Sequence, residues 1–187
     1  GVDLDTDNLA FFPLLYWPMD PREKSLSPAA ITHVGENIHQ GGTILFDTRD
    51  LTLGASRGPN SPGEQTLRRL TAGLDMPPLQ PVPSDHVLTK TFYLLRSFPG
   101  RWDGGKVWVE ALPPSQPGHP PARGGDGVSP VIIGSNDWAA AWAVDGRGNF
   151  LSEPVPGGES QRETAFRFGV NVVMYALTGN YKADQVH

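Results

Sequence analysis

The chain has 187 residues, with 15 lysines and arginines against 20 aspartates and glutamates, and a formal net charge of −5. Its hydrophobic and charged fractions, 38% and 19%, are typical of a folded globular protein, and the length suits one domain over residues 1–187. The acidic balance argues against nonspecific nucleic-acid binding. No apolar run reaches the roughly 20 residues that span a bilayer. The lack of cysteine excludes disulfides, thiolate metal sites and cysteine nucleophiles.

The N-terminal segment predicts an extended element. Residues 9–17 are almost wholly apolar, and Pro13 breaks any helix through them, so we interpret them as a strand or extended segment with an irregularity. The chain starts at Gly1 rather than at a methionine, and its first residues are polar. We therefore expect it to be a fragment of a longer protein.

A helix and a buried strand follow. Ser27 and Pro28 are typical of a helix start, because the hydroxyl caps free amides and proline fits the first turn. Residues 43–46 are strand formers, and Asp47 closes that strand. The helix is predicted from apolar residues at helical spacing, namely Ala30, Ile31, Val34 and Ile38.

The middle of the chain predicts a second helix and two short strands. Ser61 and Glu64 have the spacing of a capping box at the start of the helix. Strands are predicted at 107–111 and 131–134. Between them, the proline- and glycine-rich stretch at about 112–130 is interpreted as a surface loop.

A last helix is predicted near the C-terminus. Ser160 and Glu163 repeat the capping-box spacing, and Gly179 is expected to end the helix. Asn171 falls inside this densely packed helix. A buried amide needs hydrogen-bond partners, so we expect Asn171 to brace a loop.

Helices alternating with short buried strands predict an α/β fold, a three-layer sandwich with a mostly parallel sheet. Open sheets of this kind bind ligands at the carboxyl ends of their strands. Asp47, Arg49 and Asp50 follow one such strand. The two carboxylates could bind a ligand or a hard cation or exchange protons. Alternatively, Asp47 could cap backbone amides in the next turn, and Arg49 could neutralise both carboxylates in an ion-pair cluster.

A second polar group follows the strand at 131–134. Ser135, Asn136 and Asp137 could reach the same crevice as Asp47, and Trp142 could wall it. The alternative is an Asx turn that leads into a short helix with its tryptophans in the core.

Asp85 and His86 are the candidates for acid–base catalysis. A carboxylate beside an imidazole can fix its tautomer and move its pKa into the working range. However, adjacent residues on an extended chain point to opposite faces, and a structural histidine hydrogen-bonded in a loop is the competing interpretation.

Two further patterns carry less information. Gly54, Ser56 and Gly58 match the serine-hydrolase pattern G-x-S-x-G, but Pro59 and a polar loop replace the strand-to-helix turn that the pattern requires. The five histidines form no convincing zinc set. No metal site and no cofactor are predicted.

Four stretches taken together resemble a bacterial family, domain of unknown function family 4159. They are LAFFPLLYWPMD, GGTILFDTRD, DHVLTKTFYL, and GSNDWAAAW followed by RFGVNVVMYALTG. The resemblance implies a class I glutamine amidotransferase-like, flavodoxin-like arrangement that lacks an upstream strand and helix. It also implies a soluble domain at the carboxyl end of a longer protein anchored by membrane helices. Amidotransferases of this fold use a cysteine nucleophile, which this chain does not have.

The main functional hypothesis is therefore a noncatalytic module that binds a small ligand or a partner protein, with neither nucleic-acid binding nor membrane insertion by this part of the chain. The alternative is a metal-assisted or acid–base hydrolase in which carboxylates and His86 meet at the carboxyl edge of the sheet. A third possibility is architectural, with the domain holding two copies of its parent protein together. A large exposed apolar patch would favour the third.

Overall fold

The computed structural model describes residues 1–52, 55–56, 60–111 and 128–183. Single turns of 3-10 helix lie at Leu9–Phe11 and Val87–Thr89. The other elements in chain order are β1 (Leu14–Pro18), α1 (Pro28–His39), β2 (Thr43–Asp47), β3 (Leu51–Thr52), β4 (Ala55–Ser56), α2 (Pro62–Thr71), β5 (Leu79–Pro81), β6 (Trp108–Glu110), β7 (Val131–Gly134), α3 (Trp138–Trp142) and α4 (Gly158–Ala183).

Five strands form one mixed sheet in the order β1-β2-β7-β6-β5. Strands β1, β2 and β7 are parallel to one another, while β6 runs antiparallel to both of its neighbours. It follows that β5 points the same way as the first three strands. The predicted α/β class with a mostly parallel sheet is confirmed. Strand β5, with Pro81 on the sheet edge, was not predicted from the sequence.

Helices cover both faces of the sheet. In β2 the side chains alternate, so that Ile44 and Phe46 join the cluster containing residues of α1 and α2, while Leu45 joins the cluster containing Phe168 and Val172 of α4. All five residues of β2 are buried. Complete burial is expected for a central strand covered on both sides.

Helix α1 begins where the sequence predicts. The Ser27 hydroxyl accepts the backbone N–H of Ala30 at 3.0 Å, and Pro28 occupies the first turn. The chain turns back at Gly41, which has a φ of 91°, a left-handed conformation that glycine adopts without penalty. This tight turn feeds β2 directly into the sheet.

Other predicted boundaries are wrong. Residues 9–17 do not form one extended element, because a 3-10 turn precedes β1. Helix α4 starts at Gly158 rather than after Ser160, and it continues through Gly179 to Ala183. An internal glycine costs a helix only about 1 kcal/mol, which the packing of a long helix can offset.

Parts of two predictions lie outside the described residues. They are residues 112–127 of the proline- and glycine-rich loop, and Gly54 and Gly58 of the G-x-S-x-G pattern. Within the described ranges, none of the helices combines the length and the apolarity needed to cross a bilayer.

Candidate functional site

The two predicted polar groups meet at the carboxyl edge of the sheet. Asp47 at the end of β2 pairs in register with Gly134 at the end of β7. Beyond the strands, the Thr48 N–H donates to the Gly134 carbonyl at 2.8 Å, and the Leu51 N–H donates to the Ser135 carbonyl at 3.1 Å. The turns that follow β2 and β7 therefore run side by side.

The Asp47 side chain is sealed beneath these turns. The residue is 0% exposed, and its carboxylate accepts four hydrogen bonds. Oδ2 accepts the Tyr16 hydroxyl at 2.7 Å and the Trp138 N–H at 2.9 Å. Oδ1 accepts the N–H groups of Arg49 and Asp137 at 3.1 and 3.3 Å. The carboxylate thus ties β1, β2 and the start of α3 together.

Burial is the largest cause of the pKa shifts of Asp47 and Tyr16. Desolvation raises the pKa of Asp47 to about 6, although the hydrogen bonds from Tyr16, Trp138 and Arg49 oppose the shift. Desolvation, followed by the charge of Asp47, also raises the pKa of the Tyr16 phenol. The Tyr16 oxygen additionally accepts the Ala139 N–H at 3.2 Å. Tyr16 is therefore a neutral donor at physiological pH.

Both turns contain a residue in the left-handed conformation. Arg49 has a φ of 55° and Asp137 a φ of 54°, and they are the two non-glycine residues with positive φ in the part of the chain that the structure describes. Such backbone costs a residue with a side chain roughly 1–2 kcal/mol. Strained backbone of this kind clusters at functional sites. Asp137 stands at the strand-to-helix turn between β7 and α3.

Above the sealed carboxylate, the edge carries two guanidinium groups and one carboxylate. The exposed Arg49 donates through Nε and Nη2 to the Met19 carbonyl, at 3.2 and 2.5 Å. Arg101 has a buried Nε with no hydrogen-bond partner among the described residues. Burial raises the pKa of Asp137, while the charges of Arg49 and Arg101 lower it. Both guanidinium groups therefore act on the same half-buried carboxyl.

Asp50 has a structural role that was not predicted from the sequence. Its carboxylate accepts the Ser61 hydroxyl at 2.6 Å and the N–H groups of Gly63 and Glu64 at 3.0 and 2.8 Å. Asp50 thus caps α2 from outside the helix, whereas Ser61 makes no side-chain cap hydrogen bond. The predicted capping box at Ser61 is wrong, because a carboxylate brought in by the fold takes those amides.

The remaining residues of the edge support the turn after β7. Asn136 is fully buried, and its Nδ2 donates to the Phe98 carbonyl at 2.6 Å. Trp142 is half-buried and donates from Nε1 to the Ala165 carbonyl at 3.0 Å, with its ring 5.8 Å from that of Tyr16. Ser135 is half-buried and contributes its carbonyl to Leu51.

The structure does not bring His86 to this edge. Its ring lies 5.8 Å from that of Tyr175, whose hydroxyl accepts the Ser129 N–H just before β7 begins. Ser129 lies at the amino end of β7, and the polar groups follow its carboxyl end, about 10 Å away. His86 therefore lies near the opposite edge of the sheet. His86 Nδ1 accepts the Leu88 N–H at 3.2 Å, and burial lowers its pKa, against the charge of the exposed Asp85.

Asp47, Arg49, Asp50, Ser135, Asn136 and Asp137 thus gather near one edge, with Trp142 beneath, while Asp85 and His86 do not. In the described ranges, no three His, Asp or Glu side chains are placed to hold a metal ion. Sequence reasoning missed Tyr16 and Arg101. Tyr16 lies in an apolar, aromatic run that is typical of a hydrophobic core, and Arg101 lies in an irregular segment without a motif.

Fold and site together define a three-layer α/β domain in which a buried carboxylate organises the carboxyl edge of the sheet. A family model described as "Domain of unknown function (DUF4159)" matches residues 1–177, and the chain belongs to that family. A search of curated proteins finds no match.

Proposed function

We propose that this domain is a noncatalytic binding module, and that its carboxyl edge recognises an anionic group on a small ligand or a partner protein. The observation that carries the proposal is the state of the Asp47 carboxylate. It is fully buried, and each of its oxygens already accepts two hydrogen bonds. A nucleophile or general base needs access to the substrate, which Asp47 lacks.

The backbone amides at the start of α3 are also occupied. In hydrolases with a strand-to-helix nucleophile turn, the N–H after the turn residue stabilises the oxyanion. Here the amides of Asp137 and Trp138 donate to Asp47, and that of Ala139 donates to Tyr16. The carboxylate of the protein itself stands where a substrate oxyanion would have to bind. This arrangement supports binding without turnover.

Two guanidinium groups at the edge are suited to an anionic partner group. Arg49 and Arg101 both act on Asp137, whereas hydrogen bonds already occupy the carboxylates of Asp47 and Asp50. Arg101 also keeps an unpaired Nε among the described residues. Guanidinium groups bind carboxylates and phosphates through paired N–H donors. A carboxylate or phosphate could therefore complete the hydrogen bonding of this site.

We further propose that the domain is a degenerate glutamine amidotransferase-like, flavodoxin-like module, and the soluble part of a membrane-tethered bacterial protein. Three adjacent parallel strands with helices on both faces support the first statement. So does the strand-to-helix turn between β7 and α3, where Asp137 has a left-handed backbone. The family resemblance supports the second.

The experiment is a titration with citrate, glutamate and inorganic phosphate, followed by amide chemical shifts and by hydrolysis assays on amide, ester and phosphoester substrates. We expect shifts at Arg49, Arg101 and Trp138, without turnover. Arg49→Gln should weaken the binding about tenfold or more, since a charge-assisted hydrogen bond contributes roughly 1.5–3 kcal/mol. The exposed Arg96→Gln serves as the matched control and should leave binding unchanged. Absence of binding by all three anions, equal effects of the two variants, or hydrolysis abolished by Asp137→Ala would each refute the proposal.

A further inference from the structure

A cavity of about 320 Å³ lies between residues 6–10 and the last two turns of helix α1. Its volume falls within the range of about 300–1,000 Å³ that is typical of small-molecule sites. Both walls lead into the sheet, since residues 6–10 precede β1 and helix α1 precedes β2. The cavity therefore lies near the amino ends of these two strands, whereas Asp47 closes the carboxyl end of β2.

Two residues that line the cavity, Asn37 and His33, already use their donor groups within the protein. Asn37 is 4% exposed, its Nδ2 donates to the Leu9 carbonyl at 3.0 Å, and its Oδ1 has no partner among the described residues. Buried acceptors without a donor are rare in folded proteins. The Nδ1 of His33 lies 2.9 Å from the Leu4 carbonyl, which can only accept, so Nδ1 carries the proton and Nε2 of the neutral ring is an acceptor. The groups that these two residues leave unused are therefore acceptors.

The charge of the cavity is negative. Asp7 on one wall and Glu36 on the other contribute carboxylates, and none of the described residues that line the cavity is a lysine or an arginine. Neither carboxylate forms an ion pair within the described part of the chain. Gln40 follows the last turn of α1, where the carbonyl groups of the helix end add a partial negative charge. Donors that carry a positive charge would therefore complement this cavity.

An organic cation matches these groups better than a metal ion does. The N–H groups of an ammonium or guanidinium group can donate to carboxylates and to neutral acceptors at the same time. By contrast, within the described ranges no three His, Asp or Glu side chains are placed to hold a metal ion. The lining is also mixed, since Leu9 and Ala10 add apolar surface that can contact a carbon chain.

We propose that this cavity binds a small organic cation through an ammonium or guanidinium group, which the carboxylates of Asp7 and Glu36 hold from opposite walls. The same groups occur in free amines and in the lysine and arginine side chains of proteins, and the first test separates these two sources. The inference does not depend on the proposed anion-binding edge, because that edge lies at the other end of β2.

The first test is a calorimetric titration of the chain with agmatine, which carries an ammonium and a guanidinium group. We expect saturable binding with a dissociation constant below about 1 mM, which added salt weakens by screening the charges. The uncharged 1,4-butanediol, which has the same carbon chain, should not bind. Nα-acetylarginine amide and Nα-acetyllysine amide stand for protein side chains, and tighter binding of either than of agmatine would assign the cation to a protein partner.

The second test uses two pairs of variants at exposed positions. Glu36→Gln should weaken agmatine binding about tenfold or more, since it removes a charge-assisted hydrogen bond, whereas Glu153→Gln, outside the cavity, should not. Gln40→Lys should abolish binding because it brings a competing ammonium group to the cavity, whereas His39→Lys places the same side chain at a neighbouring position outside the lining. Circular dichroism and melting temperature identify folded variants, and Asp7→Asn replaces Glu36→Gln if that variant does not fold.

Four results would each overturn the inference. The first is the absence of saturable binding by all three cations up to about 10 mM. The others are equally tight binding of 1,4-butanediol, equal effects of the two variants within either pair, and displacement of agmatine by Mg²⁺ or Ca²⁺ at similar concentrations. Binding of agmatine without binding of anions would refute the proposed function alone, and the reverse result would refute this inference alone.

Discussion

Arg49 and Asp137, from different turns, both donate their backbone N–H to the same oxygen, Oδ1 of Asp47, at 3.1 and 3.3 Å. Both residues have left-handed backbone, which costs free energy in residues with side chains. The buried carboxylate stabilises this conformation in both turns, because it accepts backbone N–H groups that would otherwise lack a hydrogen-bond partner. Asp47 therefore determines the shape of the edge.

Replacing this carboxylate should destabilise the domain. Asp47→Ala leaves the Trp138 N–H and the Tyr16 hydroxyl without an acceptor in the interior, and each unsatisfied buried group costs about 1–3 kcal/mol. We expect the free energy of unfolding to fall by about 3 kcal/mol in urea denaturation. Asp75→Ala, at an exposed position, should change it by no more than about 0.5 kcal/mol. Equal effects of the two variants would contradict the assigned role.

The raised pKa of Asp47 predicts a pH dependence of unusual sign. Its folded value of about 6 exceeds the ordinary value of 3.8, so between these pH values the folded state holds a proton that the unfolded state has released. The contribution of Asp47 to stability therefore declines as pH rises from about 4 to about 6 and is constant above, by roughly 3 kcal/mol in total.

The pH prediction is measured as a difference. The free energy of unfolding of wild type minus that of Asp47→Asn, which does not titrate, should decrease across this window. A carboxyl ¹³C titration should place the Asp47 midpoint near pH 6. A difference that increases with pH would show that the folded carboxyl is instead the stronger acid.

The convergence at the carboxyl edge could be predicted from the sequence because it follows from a general rule. The apolar run ending in Asp47 and the run before Ser135 both indicated buried strands, and parallel strands end at one edge. The ends of two neighbouring parallel strands lie directly beside each other. Strands β2 and β7 are neighbours.

The partners within the edge could not be predicted. Tyr16 meets Asp47 only because β1 pairs with β2 in a register that brings their carboxyl ends together, and the residues around Tyr16 indicate nothing but core. Asp50 caps a helix that begins twelve positions later, beyond the range of local capping patterns. Contacts between distant segments depend on the assembled fold, and local sequence carries no signal for them.

Close packing of α2 against the end of β2 gives a third prediction. A Cβ at Gly63 would lie 2.0 Å from the Thr48 carbonyl oxygen and 2.6 Å from Asp50 Oδ2. Gly63→Ala should therefore displace the helix start and lower the free energy of unfolding by about 1–3 kcal/mol. Gly35→Ala, inside α1 with nothing within 4 Å of the added Cβ, should raise it by about 0.5–1 kcal/mol. Denaturation curves of both variants test whether the free energy of unfolding falls for Gly63→Ala and rises for Gly35→Ala. An unchanged free energy of unfolding in Gly63→Ala would mean that the start of α2 can shift without cost.

Asn171 predicts a local effect on one loop. Its Oδ1 accepts the N–H groups of Phe92 and Tyr93, and its Nδ2 donates to the carbonyls of Leu88 and Tyr93, both at 2.9 Å. This geometry confirms the expectation that Asn171 braces a loop. Asn171→Ala should lower the free energy of unfolding by about 3 kcal/mol, because the loop groups lose their partners in a buried setting.

The loop-specific part of this prediction separates bracing from general packing. In Asn171→Ala, amide exchange at Phe92 and Tyr93 should accelerate much more than exchange in β2, and trypsin should cleave faster at Lys90 and Arg96. These sites are exposed in the folded chain, so cleavage is limited by how far the loop opens. Asn60→Ala, at an exposed asparagine, should change neither rate. Uniform acceleration across the sheet and the loop would indicate that Asn171 supports the whole core rather than this one segment.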